Sequence, residues 1–403
     1  MPLGAIALTI CMVWDSELAF DAAVKGLNIW WTVVFPALLP FFIAAEILMG
    51  LGVVHGMGTL LEPLMRPFFN VPGAGAFVVA MGLASGYPIG SILSGRLRQQ
   101  GMVSKTEGER LMSFTNTADP LFMTGAVAVG MFGRPEAGVV IMIAHYTSSL
   151  LLGFIMRFYR AGSDQSPVLT DRQGNIILRA LLSMHRARQK DGRPFGQLLG
   201  DAVGRSVNTL LTVGGFIIIF SVIIQILTAI GFVTVLTGIL GTVLIPLGLH
   251  PGTLPALVSG LFEITLGTQL AGQCPAPYSQ QLIAASAIIA WSGLSVHAQV
   301  AAMTQGTDLS IAPFIVARLV HAFLAGAIMA LLFMGPAQAF WDGFTLPVFL
   351  STSPTPTATF FFSRLTYVGF GCAVLIAVML AGAIIMQVAR TLRVIVFWLT
   401  RSR

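Results

Sequence analysis

The side chains able to do chemistry in this chain lie inside apolar runs. Glu263 sits in "FEITLGTQ" (262–269) and Asp119 in "NTADP" (116–120); Arg318, His297 and His321 have similar surroundings. An ionisable group within a membrane segment is costly and is a functional hypothesis by default. Glu263 could bind Na⁺, carry a proton, or pair with Arg318 or a histidine. Asp119 precedes Pro120 and reads as a helix cap with a first-turn proline, or as a proton or cation site. Arginine suits bidentate recognition of a carboxylate. Arg318 could hold such a substrate, balance Glu263, or snorkel from a helix end. His321 follows almost one turn later. His297 is either a relay or a packed, hydrogen-bonded residue.

Neutral polar groups gather at the same places. "SGYPIGS" (85–91) interrupts a long apolar run. Gly86 and Gly90 permit tight turns and Pro88 removes a donor. The limb leaving this break would aim free N–H groups inward, a ready anion site. Ser85, Tyr87 and Ser91 would add hydroxyls. The alternative is a kink packed against neighbours. Asn116 and Thr117 offer contacts at the second break. "WSGLSVHAQ" (291–299) places Ser292, Gly293 and Ser295 at a third, and Thr265, Thr268 and Gln269 follow Glu263. The substrate-lining set is therefore Ser85, Gly86, Tyr87, Ser91, Asn116, Thr117, Thr265, Thr268, Gln269, Ser292, Gly293, Ser295 and Arg318. Glu263, Asp119, His297 and His321 are the coupling or relay candidates.

These groups need a membrane to surround them, and the composition supplies it. Of 403 residues, 56% are hydrophobic and 9% charged, against about 25% charged in soluble domains. Runs of twenty or more apolar residues match a bilayer core. Their continuity disfavours a transmembrane barrel. Cys11, Cys274 and Cys372 form no metal or redox spacing. No HExxH, GxSxG or Walker sequence occurs, so no enzyme, metal or cofactor is expected. The formal charge of +6 gathers in short loops, which speaks for topology and not for nucleic acid.

The expected fold is an all-α polytopic membrane protein of about eight crossing helices with two re-entrant hairpins. Crossings are read at 3–21, 28–52, 108–132, 135–159, 206–230, 279–304, 310–335 and 364–390. The hairpins are read at 73–100 and 251–274. Segments 53–68 and 233–249 would lie along the interface or beside the hairpins. Basic residues at 96–110, 160–205 and 390–403 all fall inside if neither hairpin crosses, with both termini cytoplasmic. Trp30 and Trp31 read as an aromatic belt. Residues 111–159 align without gaps to 284–332, which matches His145 to Arg318. Three crossings per half would invert the halves, a transporter signature with the site near the midplane. The divisions are 1–26, an N-terminal helix; 27–159, a first repeat; 160–205, a basic cytoplasmic connector; 206–335, an inverted second repeat; 336–363, an external loop; and 364–403, a C-terminal helix and basic tail.

The strings "GLNIWWTVVFPALLPFFIAAEILMGLG", "RPFFNVPGAGAFVVAMGLASGYPIGS", "SKTEGERLMSFTNTADPLFM" and "GLSVHAQV" together resemble the YlbJ (SpoVV) type of sporulation integral membrane protein. The resemblance covers roughly 25–335. It implies a nucleoside-recognition (Gate) domain, similar to the core of concentrative nucleoside transporters. It also implies movement of dipicolinic acid across the outer forespore membrane of an endospore former. It leads us to expect a small neutral residue where Asp119 stands. The function expected is a secondary transporter or permease for a small anionic aromatic solute, coupled to H⁺ or Na⁺ if coupled at all. The alternatives are a coupled nucleoside transporter and a non-transporting membrane scaffold for spore maturation. Partners are a small-molecule substrate and the lipid bilayer, with a homo-oligomer compatible.

Overall fold

A computed structural model describes residues 2–162, 166 and 175–333. The expected loop at 336–363 and helix at 364–390 lie outside the described residues. Sixteen α-helices and no strands are present among the described residues. After α1 (Pro2–Trp14), the chain is helical without interruption from α2 (Ser16–Ile29), through a π-helical turn (Trp30–Val34), into α3 (Phe35–Gly50). The single crossing expected at 3–21 is therefore two helices. Asp15 separates them and accepts the Leu18 N–H at 3.0 Å, so this acid starts a new helix as its N-cap. α4 (Val53–Phe69) leaves α3 at 82°, as an interface-lying segment would. A hairpin of α5 (Gly75–Ser85) and α6 (Ile89–Gln99) follows, then α7 (Lys105–Thr115), a break, a π-helical segment (Phe122–Met131) and α8 (Glu136–Met156).

The connector contains α9 (Ile176–Asp191). The same order of elements then recurs: the long α10 (Phe195–Ala229), α11 (Phe232–Leu244), a hairpin of α12 (Leu254–Phe262) and α13 (Ile264–Gln273), the broken pair α14 (Tyr278–Trp291) and α15 (Gly293–Met303), and α16 (Ala312–Leu332). Gly52 and Gly231 occupy matching bends, with φ of 79° and 78°. The hairpin limbs have 11, 11, 9 and 10 residues. At about 1.5 Å per residue each reaches roughly 15 Å, about half of a bilayer core.

Four elements among the described residues are long and apolar enough to cross a membrane, or five if the bent pair α3–α4 is counted as one span. They are α8, α10, α14–α15 and α16. The expectation of eight is higher because it joins segments that the structure interrupts, at Asp15 and at 116–121, and includes the expected crossing at 364–390, which lies outside the described residues.

The long run α2–α3 packs along α10. Lipid gives no hydrophobic drive between helices, so small residues and hydrogen bonds must fit them together. Trp30 lies against Gly214, where a Cβ would sit 2.6 Å from the indole. Its Nε1 donates to the Leu210 carbonyl at 2.9 Å. Trp30 is thus 7% exposed and an internal helix contact; of the expected belt, only Trp31 faces outward, 60% exposed.

Candidate functional site

The site is built from interruptions. Pro120 cannot donate to the carbonyl a turn earlier, so α7 ends at Thr115 with groups to satisfy. Every such group needs a partner when buried. The Arg318 guanidinium donates to the Asn116 carbonyl at 2.7 Å and also to that of Ser113. His145 Nε2 accepts the Ala118 N–H at 3.0 Å. Asp119 Oδ1 accepts the Phe122 N–H at 2.8 Å and starts the next helical segment. The Thr117 hydroxyl donates to the Gly82 carbonyl at 2.9 Å, which ties the break to α5.

The break between α14 and α15 is served similarly. Ser292 and Gly293 adopt φ of 70° and 77°. Tyr87, from the first hairpin tip, donates to the Ile289 carbonyl at 2.5 Å. The Arg318 guanidinium also approaches the Ala290 carbonyl at 3.5 Å. The His297 Nδ1–H points to the Gly293 carbonyl at 2.7 Å.

Each hairpin tip touches the break of its own half. A Cβ on Gly86 (φ 75°) would fall 2.8 Å from Asp119 Oδ2; one on Gly293 would fall 3.2 Å from Glu263 Cα. Only glycine combines that φ with that approach. Glu263 is the whole turn between α12 and α13. Its backbone is extended, and its Oε2 accepts the Leu266 N–H at 2.8 Å. Asp119 and Glu263 are 8% and 2% exposed. Both face one cavity of about 570 Å³.

Of the residues expected from sequence, Tyr87, Asp119, Glu263, Thr265 and Ser295 line this cavity. Gln299 joins them, its Nε2 donating to Ser295 Oγ at 3.3 Å. Sequence reasoning missed it, although it lies one turn beyond Ser295 in the same string. α3 and α10 close the other side with Leu38, Val213 and Ile217. None of the lining residues is basic.

The remaining candidates stand elsewhere. Arg318 is fully buried; it neither snorkels nor pairs with Glu263, its Nη groups serving the helix ends while its Nε has no hydrogen-bond partner among the described residues. Thr268 donates within its helix to Ile264 at 2.8 Å. Gln269 is exposed and does not line the cavity. Ser292 donates to the Trp291 carbonyl at 2.5 Å. His297 packs between Trp291 and Phe314, and His321 Nε2 lies 3.1 Å from the His145 carbonyl.

The anion site expected at the start of α6 is closed. Ile89 and Ser91 N–H groups bond to Gly86 and Pro88 carbonyls, and the Thr115 carbonyl crowds Gly90. Ser85, Ser91 and the Asn116 amide are buried behind the tip without hydrogen-bond partners among the described residues. Sequence alignment had matched His145 to Arg318; the structure brings both to the α7 break, one as acceptor and one as donor.

Fold and cavity together define an all-helical, multi-pass integral membrane protein with broken helices around an internal chamber. No family model matches the chain. It is 43% identical over 362 residues to the sporulation integral membrane protein YlbJ of Bacillus subtilis (strain 168), over 88% of this chain and 87% of that protein. The chain belongs to the YlbJ family of sporulation integral membrane proteins.

Proposed function

We propose that the protein is a carrier, not an enzyme, for a small anionic aromatic solute, dipicolinic acid, across the outer forespore membrane. The observation that carries this reading is the convergence of two hairpin tips and two helix breaks on one chamber, with an acid from each half facing it. Each acid accepts a backbone N–H that starts a helical segment and also faces the chamber, where it is placed to take a proton or meet a solute. A dicarboxylate would be repelled by two ionised acids. Protonated, Asp119 and Glu263 become donors to it, and two protons offset its two charges. Loading thus couples solute to protons. The two halves, acting as inverted repeats, would expose the chamber alternately, with the basic connector in the cytoplasm.

A second reading is favoured by the lack of a lining base: a neutral nucleoside, whose ribose hydroxyls would donate to the two carboxylates. Proteoliposome uptake of dipicolinate and uridine, under imposed pH or Na⁺ gradients, separates the two. We expect saturable dipicolinate uptake driven by a proton gradient. Uridine uptake instead selects the second reading. Absence of both, with folded protein, points to a scaffold that binds a partner without transport.

A further inference from the structure

We propose that α9, with the cleft at its C-terminal end, binds an anionic phospholipid. The helix is held firmly on α4. A Cβ on Gly52 would lie 2.5 Å from the Met184 carbonyl, and one on Gly56 would lie 3.4 Å from that of Ala180. Its opposite face is exposed among the described residues. Along that face come Ile177, Leu178, Leu181 and Leu182, exposed by 61, 58, 55 and 44%. The same stripe continues as His185, Arg186, Gln189 and Lys190, also exposed. One helical face therefore changes from apolar to basic along its length.

The basic end opens on a cleft of about 390 Å³. Arg96, Lys190, Arg193 and Arg205 line it, with Glu46 and Asp191. Arg96 pairs with Glu46, and Arg193 pairs with Asp191 and with Asp201, each at 2.7 Å. Arg205 is only within 3.7 Å of Glu46 and is 57% exposed. Lys190 has no ion pair among the described residues. The cleft thus holds an excess of cations.

An occupant that spans both must carry a negative head beside an apolar body, since Lys190 belongs to the exposed stripe and to the cleft lining. A membrane lipid has that form, and amphipathic basic helices lie at such interfaces. A free phosphate would leave the stripe uncovered. A second copy would set like charges against each other.

The test is retention of phosphatidylglycerol against phosphatidylcholine by the purified full chain, read by native mass spectrometry. Lys190→Gln and Arg205→Gln are both exposed and should fold. The preference for phosphatidylglycerol should fall about fivefold for each charge removed. Leu178→Ser with Leu181→Ser should weaken retention of the same lipid. Unchanged preference in the charge variants overturns the proposal. So does full competition by inorganic phosphate with no effect of the leucine changes, which would mean a free-anion site. A shift of oligomeric mass in the leucine variants, without lipid loss, would make the face a copy interface instead.

Discussion

Asp119 and Glu263 answer one steric problem from opposite elements. In the first half the acid stands in the helix break and glycine at the hairpin tip; in the second the acid is the tip and glycine stands in the break. Each acid caps a helical segment, so each has a structural role that its amide can partly keep. We expect Asp119→Asn and Glu263→Gln to retain solute exchange across proteoliposomes but to lose accumulation driven by a pH gradient. Retained accumulation in both variants would remove these residues from coupling. Gly86→Val should abolish transport. It places a β-branched residue at φ 75° and ψ −171°, a region essentially reserved for glycine at a cost of about 1–3 kcal/mol, and drives its Cβ into Asp119. Full activity would return the tip to mere packing. Arg318→Met separates two roles. As a cap it holds carbonyls at both breaks, and its loss should cost about 3 kcal/mol or more of thermal stability. A variant of normal stability with lost transport would make Arg318 a substrate ligand after all.

At the scale of elements, the breaks are satisfied across the halves. Arg318 on α16 serves the end of α7, and Tyr87 from the first hairpin serves the end of α14. The breaks themselves could be read from sequence, because Gly, Pro and Asn-Thr-Ala-Asp-Pro interrupt apolar periodicity by local chemistry. The partners could not. Whether Arg318 meets a carboxylate or a carbonyl, and whether Trp30 faces lipid or Gly214, depends on which helices touch, and one sequence carries no record of that. Asp15 ended an expected crossing for a local reason that was present but outweighed by the apolar run. A second tie joins the far end of α6 to the loop between α15 and α16. Arg98 Nε and Asp308 Oδ1 are 2.8 Å apart, and the second contact is 2.9 Å. The Arg98 hydrogen bonds hold the Asp308 carboxyl below its usual range. Such a pair contributes fully above the unfolded carboxyl's value, near pH 4, and is lost as pH falls through the lower folded value. Being exposed, it is worth about 0.5 kcal/mol or less. Asp308→Asn should lower the melting temperature slightly at pH 7 and make no difference at about pH 2, measured by thermal denaturation in detergent.

For the whole molecule, the chamber has two unlike walls. One is the pair α3 and α10, long helices whose apolar side chains carry no chemistry into it. The other is the assembly of hairpins and broken helices, where both acids and the hydroxyls stand. Such a division suits a moving group that carries the site past a fixed support, since side chains on the support would need no partners in either state. On the proposed carrier reading, a solute would pass beside the π-helical segment, whose Gly125, Ala126 and Gly130 line the chamber. Ala126→Trp would fill that space from an apolar position that makes no polar contact. We expect it to block uptake of every solute while leaving the melting temperature within a few degrees of the wild type. Undiminished uptake in this variant would mean that the chamber between the halves is not the path, and the carrier reading would fall with it.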